Sequence, residues 1–146
     1  HANTGKLLVK SPKVYVRDPG LTHSLLGIDS KEGLLGHPVV GGSWEGFCIE
    51  ALIAAAPRGT QVSFYRSSSG AEIHLVLKLP RGEIWAIEIK RTTQPKVTSG
   101  FHIAAKELDA SERILVYAEP REVPGKWGVR AMPLLTALAR LTHTKL

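Results

Sequence analysis

Residues 70–90 read GAEIHLVLKLPRGEIWAIEIK, two β-rich runs separated by Pro80, Arg81 and Gly82. A strand sends alternate side chains to opposite faces, so apolar residues at every second position mark a strand with a buried side. In the first run Ile73, Leu75 and Leu77 fall on one side, with Glu72, His74, Val76 and Lys78 on the other. In the second, Trp85, Ile87 and Ile89 oppose Ala86, Glu88 and Lys90. Pro followed closely by Gly reverses a chain, so the two runs predict an antiparallel hairpin. With QVSFYR at 61–66 ahead of it, the hairpin extends to a three-strand antiparallel meander.

The flanking segments supply what covers such a sheet. After Ser43, a residue able to cap a helix, Trp44, Phe47, Cys48, Ala51, Leu52 and Ala55 recur at helical spacing. This predicts an amphipathic helix over 43–56, stopped by Pro57-Arg58-Gly59, with Glu45 in its dipole-favoured first turn. FHIAAKELDA (101–110) has helical composition, and ERILVYAE (112–119) is a short apolar run suited to a buried strand. KWGVRAM (126–132) suggests an edge strand, and PLLTALARLTH (133–143) a closing helix with Pro133 in its first turn. Upstream, the pattern predicts a strand at 13–17, a helix from Leu21 to Gly27 and a short helix over 30–35. The order α-β-β-β-α-β, with additions at both ends, is that of an α/β domain with a mixed central sheet flanked by helices.

At 146 residues the chain is one domain by length. The expected division is a lead-in at 1–42, a core at 43–118 and a C-terminal extension at 119–146. Nineteen Lys and Arg against 13 acids leave a formal charge of +6, which favours a polyanionic partner. Apolar runs fall far short of the roughly 18 residues that span a bilayer, so no membrane-crossing helix is expected. One cysteine, Cys48, cannot form an internal disulfide, which suits a reducing cytoplasm. The chain begins with His1 rather than Met, and the expectation is a fragment of a longer protein.

A helix glutamate, a polar position on the middle strand and an E-x-K on the next strand resemble the PD-(D/E)XK, or restriction-endonuclease-like, superfamily. More closely, KVYVRDPGLTHSLLGI, LLGHPVVGGSWEGFCIEALI, GAEIHLVL and WAIEIKRTTQPKVTSGF resemble, in that order, a domain of unknown function. That domain lies C-terminal to the AAA-type ATPase in a widespread bacterial and archaeal family. The likeness covers nearly the whole chain. It implies a nuclease-like scaffold fused to an N-terminal ATPase domain, with any ATPase activity residing there.

Carried onto this chain, the resemblance implies a catalytic set of Glu45, position 74, Glu88 and Lys90. Metal binding would fall to Glu88, the carbonyl of Ile89 and the residue at 74. Mg²⁺ demands hard oxygen ligands, and phosphodiester hydrolysis needs a cation at the developing charge. The pattern GAE-x-D is broken here, because His74 stands where an Asp is expected. A neutral imidazole is a poor Mg²⁺ ligand, which implies an impaired site. Glu72 could supply the missing carboxylate, or His74 could shift the preference towards Mn²⁺. Arg66, Arg91 and Lys96 flank the site and are candidates for phosphate contact.

Other chemistries find little support. The remaining histidines lack zinc-binding spacing, Cys48 lies on an apolar helix stripe, and Gly41-Gly42-Ser43 lacks the lysine of a nucleotide-binding loop. The leading expectation is a DNA-binding or regulatory module with a damaged metal site. An active Mg²⁺- or Mn²⁺-dependent nuclease and a protein-interaction domain of the ATPase are the alternatives.

Overall fold

The computed structural model describes Asp18, Gly20, His23, Ser24, 26–67 and 69–144. The strand expected at 13–17 lies outside those residues, as do Leu21, Thr22 and Leu25 of the helix expected before Gly27. Along the described chain run α1 (Lys31–Leu35), α2 (Val40–Ala55), β1 (Gln61–Arg66), β2 (Glu72–Lys78) and β3 (Ile84–Ile89). Then follow α3 (Ser99–Glu107), β4 (Glu112–Val116), β5 (Val123–Pro124), a 3-10 turn (Lys126–Gly128), β6 (Arg130–Met132) and α4 (Leu134–His143).

The strands form one six-stranded mixed sheet in the order β1-β2-β3-β4-β6-β5. β1, β2 and β3 are the expected antiparallel meander. β4 and β6 add in parallel to β3, and β5 closes the far side antiparallel to β6. KWGVRAM therefore does not provide an edge strand. Its 130–132 segment is interior, because the short β5 pairs outside it and takes the edge.

Each face carries its own core. α2 and α4 cover one side, burying Cys48, Ile49, Leu52, Ala137 and Leu141 against Leu75, Leu77, Trp85, Ile87, Ile89, Ile114 and Val116. α3 covers the other, packing Phe101, Ala104 and Ala105 on Ile73, Val76, Ala86, Leu115 and Ala131. β3 and β4 are thus buried on both faces, as parallel strands under helices must be.

Local chemistry explains most element ends. The hairpin between β2 and β3 closes with the Gly82 N–H donating to the Leu79 carbonyl (2.9 Å) and Gly82 at φ +93°. Ala56 is extended ahead of Pro57, as the residue before a proline tends to be, and α2 ends there. At its other end α2 begins three residues earlier than Ser43. The Val39 N–H donates to His37 Nδ1 (3.1 Å), and Ser43 lies within the helix with its hydroxyl on His23 Nε2. Ser43 is therefore not the cap, and Glu45 is past the first turn. Phe47, assigned to the apolar stripe, is exposed.

The simple alternation along β2 also fails at one place. Between Ser63 and Tyr65 the register advances two residues on β1, but three on β2, from Val76 to Ile73. This bulge, centred on His74 and Leu75, inverts the faces beyond it. Ile73 consequently packs with Val76 under α3 rather than with Leu75 and Leu77.

Candidate functional site

The bulge makes the site. β2 and β3 pair from Lys78↔Ile84 to Leu75↔Ile87, and the ladder stops there. β3 stays bound to β4 as far as Ile89↔Val116, and the Lys90 N–H continues onto the Val116 carbonyl (3.0 Å). β2 and β3 therefore part at His74 and Glu88. The Ile89 N–H, which has lost its strand partner, donates to His74 Nδ1 at 3.0 Å. A nitrogen accepting that bond carries no proton, so the imidazole holds its proton on Nε2.

The opening is a cleft of about 540 Å³ whose lining includes Glu72, His74, Glu88, Lys90 and, from the start of α3, Ser99, Gly100 and Ile103. α3 reaches its rim because Gly100 lies against Ala71. A Cβ added at Gly100 would sit 3.2 Å from that of Ala71. Thr98 caps α3 by accepting the Phe101 N–H (3.1 Å), so the helix starts ahead of the predicted 101. A Thr two residues before a Gly and three before an apolar residue was a usable capping signal.

Glu88 is the most constrained charge. It is 5% exposed, with Oε1 3.3 Å from Lys90 Nζ and Oε2 buried without a hydrogen-bond partner. Burying a carboxylate is costly unless opposite charge and donors compensate, and here one ammonium does so. Glu72 turns to Arg66, with Oε1 2.9 Å from Arg66 Nε. Glu45 approaches from α2, with Oε1 3.8 Å from His74 Nδ1. Because Nδ1 already accepts the Ile89 N–H, that approach is not a hydrogen bond between carboxylate and imidazole. Arg91 and Lys96 are exposed on the loop from β3 to α3.

The same cluster settles the state of Cys48. Burial first, and the nearby Glu45 carboxylate second, push its thiol up to about 12. A thiol so raised supplies no thiolate near neutrality. It is a packing residue of the α2 core.

Of the sequence-derived site residues, Glu72, His74, Glu88 and Lys90 share one cleft. Glu45 comes within 3.8 Å of His74 Nδ1 from α2, and Arg66 is engaged by Glu72. The donors do not fit Mg²⁺. Glu72 is paired with a guanidinium, Nδ1 of His74 is occupied, and Glu88 Oε1 faces the Lys90 ammonium. Among the described residues no three His, Cys, Asp or Glu side chains are placed to hold a metal ion. Instead, Lys90 puts a positive charge beside Glu88.

A mixed α/β domain with a polar cleft where two strands part is the class defined by this geometry. Residues 40–137 match the family described as a domain of unknown function, DUF4143, and the chain belongs to that family. The match contains all six strands and the whole cleft. The chain is 38% identical over 132 residues to the uncharacterized protein Rv2008c of Mycobacterium tuberculosis. It is equally similar, at 38% over 132 residues, to the uncharacterized protein Mb2031c of Mycobacterium bovis. Each alignment covers 90% of this chain and 30% of the relative, so the chain spans about a third of those proteins' length. No solved structure matches it. Among the described residues no helix is long and apolar enough to cross a membrane.

Proposed function

We propose that this domain is a nuclease-like, DNA-contacting module at the C-terminal end of an AAA-type ATPase, and that it no longer performs metal-dependent cleavage. The observation that carries this reading is the Ile89 N–H bond to His74 Nδ1. It commits to a backbone contact the side chain standing where a PD-(D/E)XK site would place a metal-binding carboxylate. Glu88 on β3 and Lys90 just past its end remain side by side, and the chain's +6 charge supports a polyanionic partner. Lys90, with Arg91 and Lys96 on the loop beyond it, would meet the phosphates. The setting consistent with a single buried thiol is a reducing cytoplasm.

Calorimetry with Mg²⁺ and Mn²⁺ tests the metal half. The native domain is expected to give no binding heat, and His74→Asp, which places a second carboxylate beside Glu88, is expected to gain it. Plasmid cleavage by the native domain with Mn²⁺, abolished in Lys90→Ala, would overturn the impaired-site reading in favour of an active nuclease. The DNA half requires binding at low ionic strength that weakens steeply with added salt. If no such binding occurs, a protein-interaction role gains. The exposed Val62 and Phe64 on edge strand β1 favour that second reading.

A further inference from the structure

Trp127 is held in an unusual way. Among the described residues other than glycine, only Asp109 and Trp127 have positive φ, at 53° and 59°. Aspartate enters that region readily, whereas for a bulky aromatic side chain it is an outlier. The ring nonetheless remains 42% exposed rather than entering a core. One side of it stacks on His102 of α3, with ring centroids 4.9 Å apart and planes 14° from parallel. Arg113 secures both partners, its Nη1 lying 3.1 Å from the Trp127 carbonyl and 3.4 Å from His102 Nδ1. With one ring side on His102, the residue still leaves 42% of its surface open to solvent for a second contact.

The surroundings are basic. Lys126 is exposed next to Trp127, and the turn rests on the loop that carries Arg91 and Lys96. A Cβ added at Gly125 would lie 3.2 Å from the Pro95 carbonyl oxygen. A rigid, outward-facing aromatic plane among cations is how proteins hold unpaired bases, since every base has a π-face and the backbone supplies the negative charge. Duplex DNA keeps its bases stacked on one another and offers nothing flat to such a plane.

We infer that Trp127, backed by His102, is a stacking platform for an unpaired nucleobase, so that the DNA contacted by this domain is single-stranded. The inference rests on the DNA-contacting reading and narrows it to one class of nucleic acid. The platform lies outside the cleft and needs no metal.

The test measures binding of a fluorescein-labelled dT oligonucleotide of about 16 residues, and of a duplex, at low salt. The native domain is compared with Trp127→Asn, whose side chain tolerates positive φ and removes the plane without straining the turn. The expected result is an affinity for the dT oligonucleotide weaker by roughly tenfold or more in Trp127→Asn. Duplex binding and the melting temperature should stay unchanged. Equal dT binding by the two proteins would overturn the platform and leave the DNA reading intact. If the native domain binds neither DNA, both fall. As a measurement free of any variant, dT oligonucleotide should quench the native tryptophan fluorescence, and binding without quenching would also overturn the platform.

Discussion

His74 concentrates the residue-scale physics of this protein. Its imidazole replaces a strand partner for the Ile89 N–H on a residue that is only 2% exposed. Removing an acceptor from a buried donor costs about 1–3 kcal/mol, because the donor is desolvated in the folded state and hydrated in the unfolded one. His74→Ala is therefore expected to lower unfolding stability by about that amount in urea titration. His74→Asn keeps a side-chain acceptor and should lose less. Equal losses in the two variants would show that Ile89 does not depend on the ring. Cys48 and Glu88 illustrate the complementary rule that burial punishes the charged form. The thiol responds by staying protonated, and the carboxylate by recruiting Lys90.

At the scale of elements, the antiparallel meander, α2, α3 and α4 were legible because each carries a pattern whose period matches its structure. The start of α2 was not, since His37 takes up the Val39 N–H and Ser43 bonds His23 from within the helix, whereas that of α3 was marked by Thr98. The β5–β6 hairpin was also misplaced, and ion pairs reinforce its backbone pairing to β4. Glu122, just before β5, receives hydrogen bonds from Arg130 of β6 and Arg140 of α4. The Arg130 bond, followed by the charges of both arginines, holds the Glu122 carboxyl below its usual value despite partial burial. A depressed carboxyl stabilises the fold above its unfolded value of 4.5, and that contribution disappears as pH falls through the folded value. Glu122→Gln should thus melt at a lower temperature than the native protein at pH 7. The gap should narrow as melts are carried down from pH 4.5 through the carboxyl's depressed folded value. The arginines are part solvent-exposed, so the gap should correspond to no more than about 1 kcal/mol.

Across the whole molecule, the two helical layers have unequal roles. α3 forms the rim of the cleft, while α2 and α4 share the opposite core. Leu141 of α4 is fully buried there, past the end of the family match, whereas Leu135 on the same helix is 78% exposed. Leu141→Ala is expected to cost about 2–5 kcal/mol, the transfer term plus the cavity it leaves. Leu135→Ala should stay within about 0.5 kcal/mol. Chemical denaturation of both should show a lower midpoint for the first alone, with an unchanged slope. A similar small loss in both would mean that α4 is not part of the cooperative core.

The sequence by itself determined that this chain forms a mixed sheet between helices, and that Glu72, His74, Glu88 and Lys90 lie on the neighbouring strands of one hairpin. Period-2 alternation, a Pro–Gly turn and helical spacing are local signals, and local sterics enforce them wherever the segment lies. Only the tertiary structure decided that β2 bulges at His74, that the strands part there, and that Arg66 takes up Glu72. Those outcomes depend on which backbone groups find partners across the sheet and which charges are left facing each other after packing. A one-residue change in register moves every later side chain to the other face, and nothing local in GAEIHLVL marks where that change occurs.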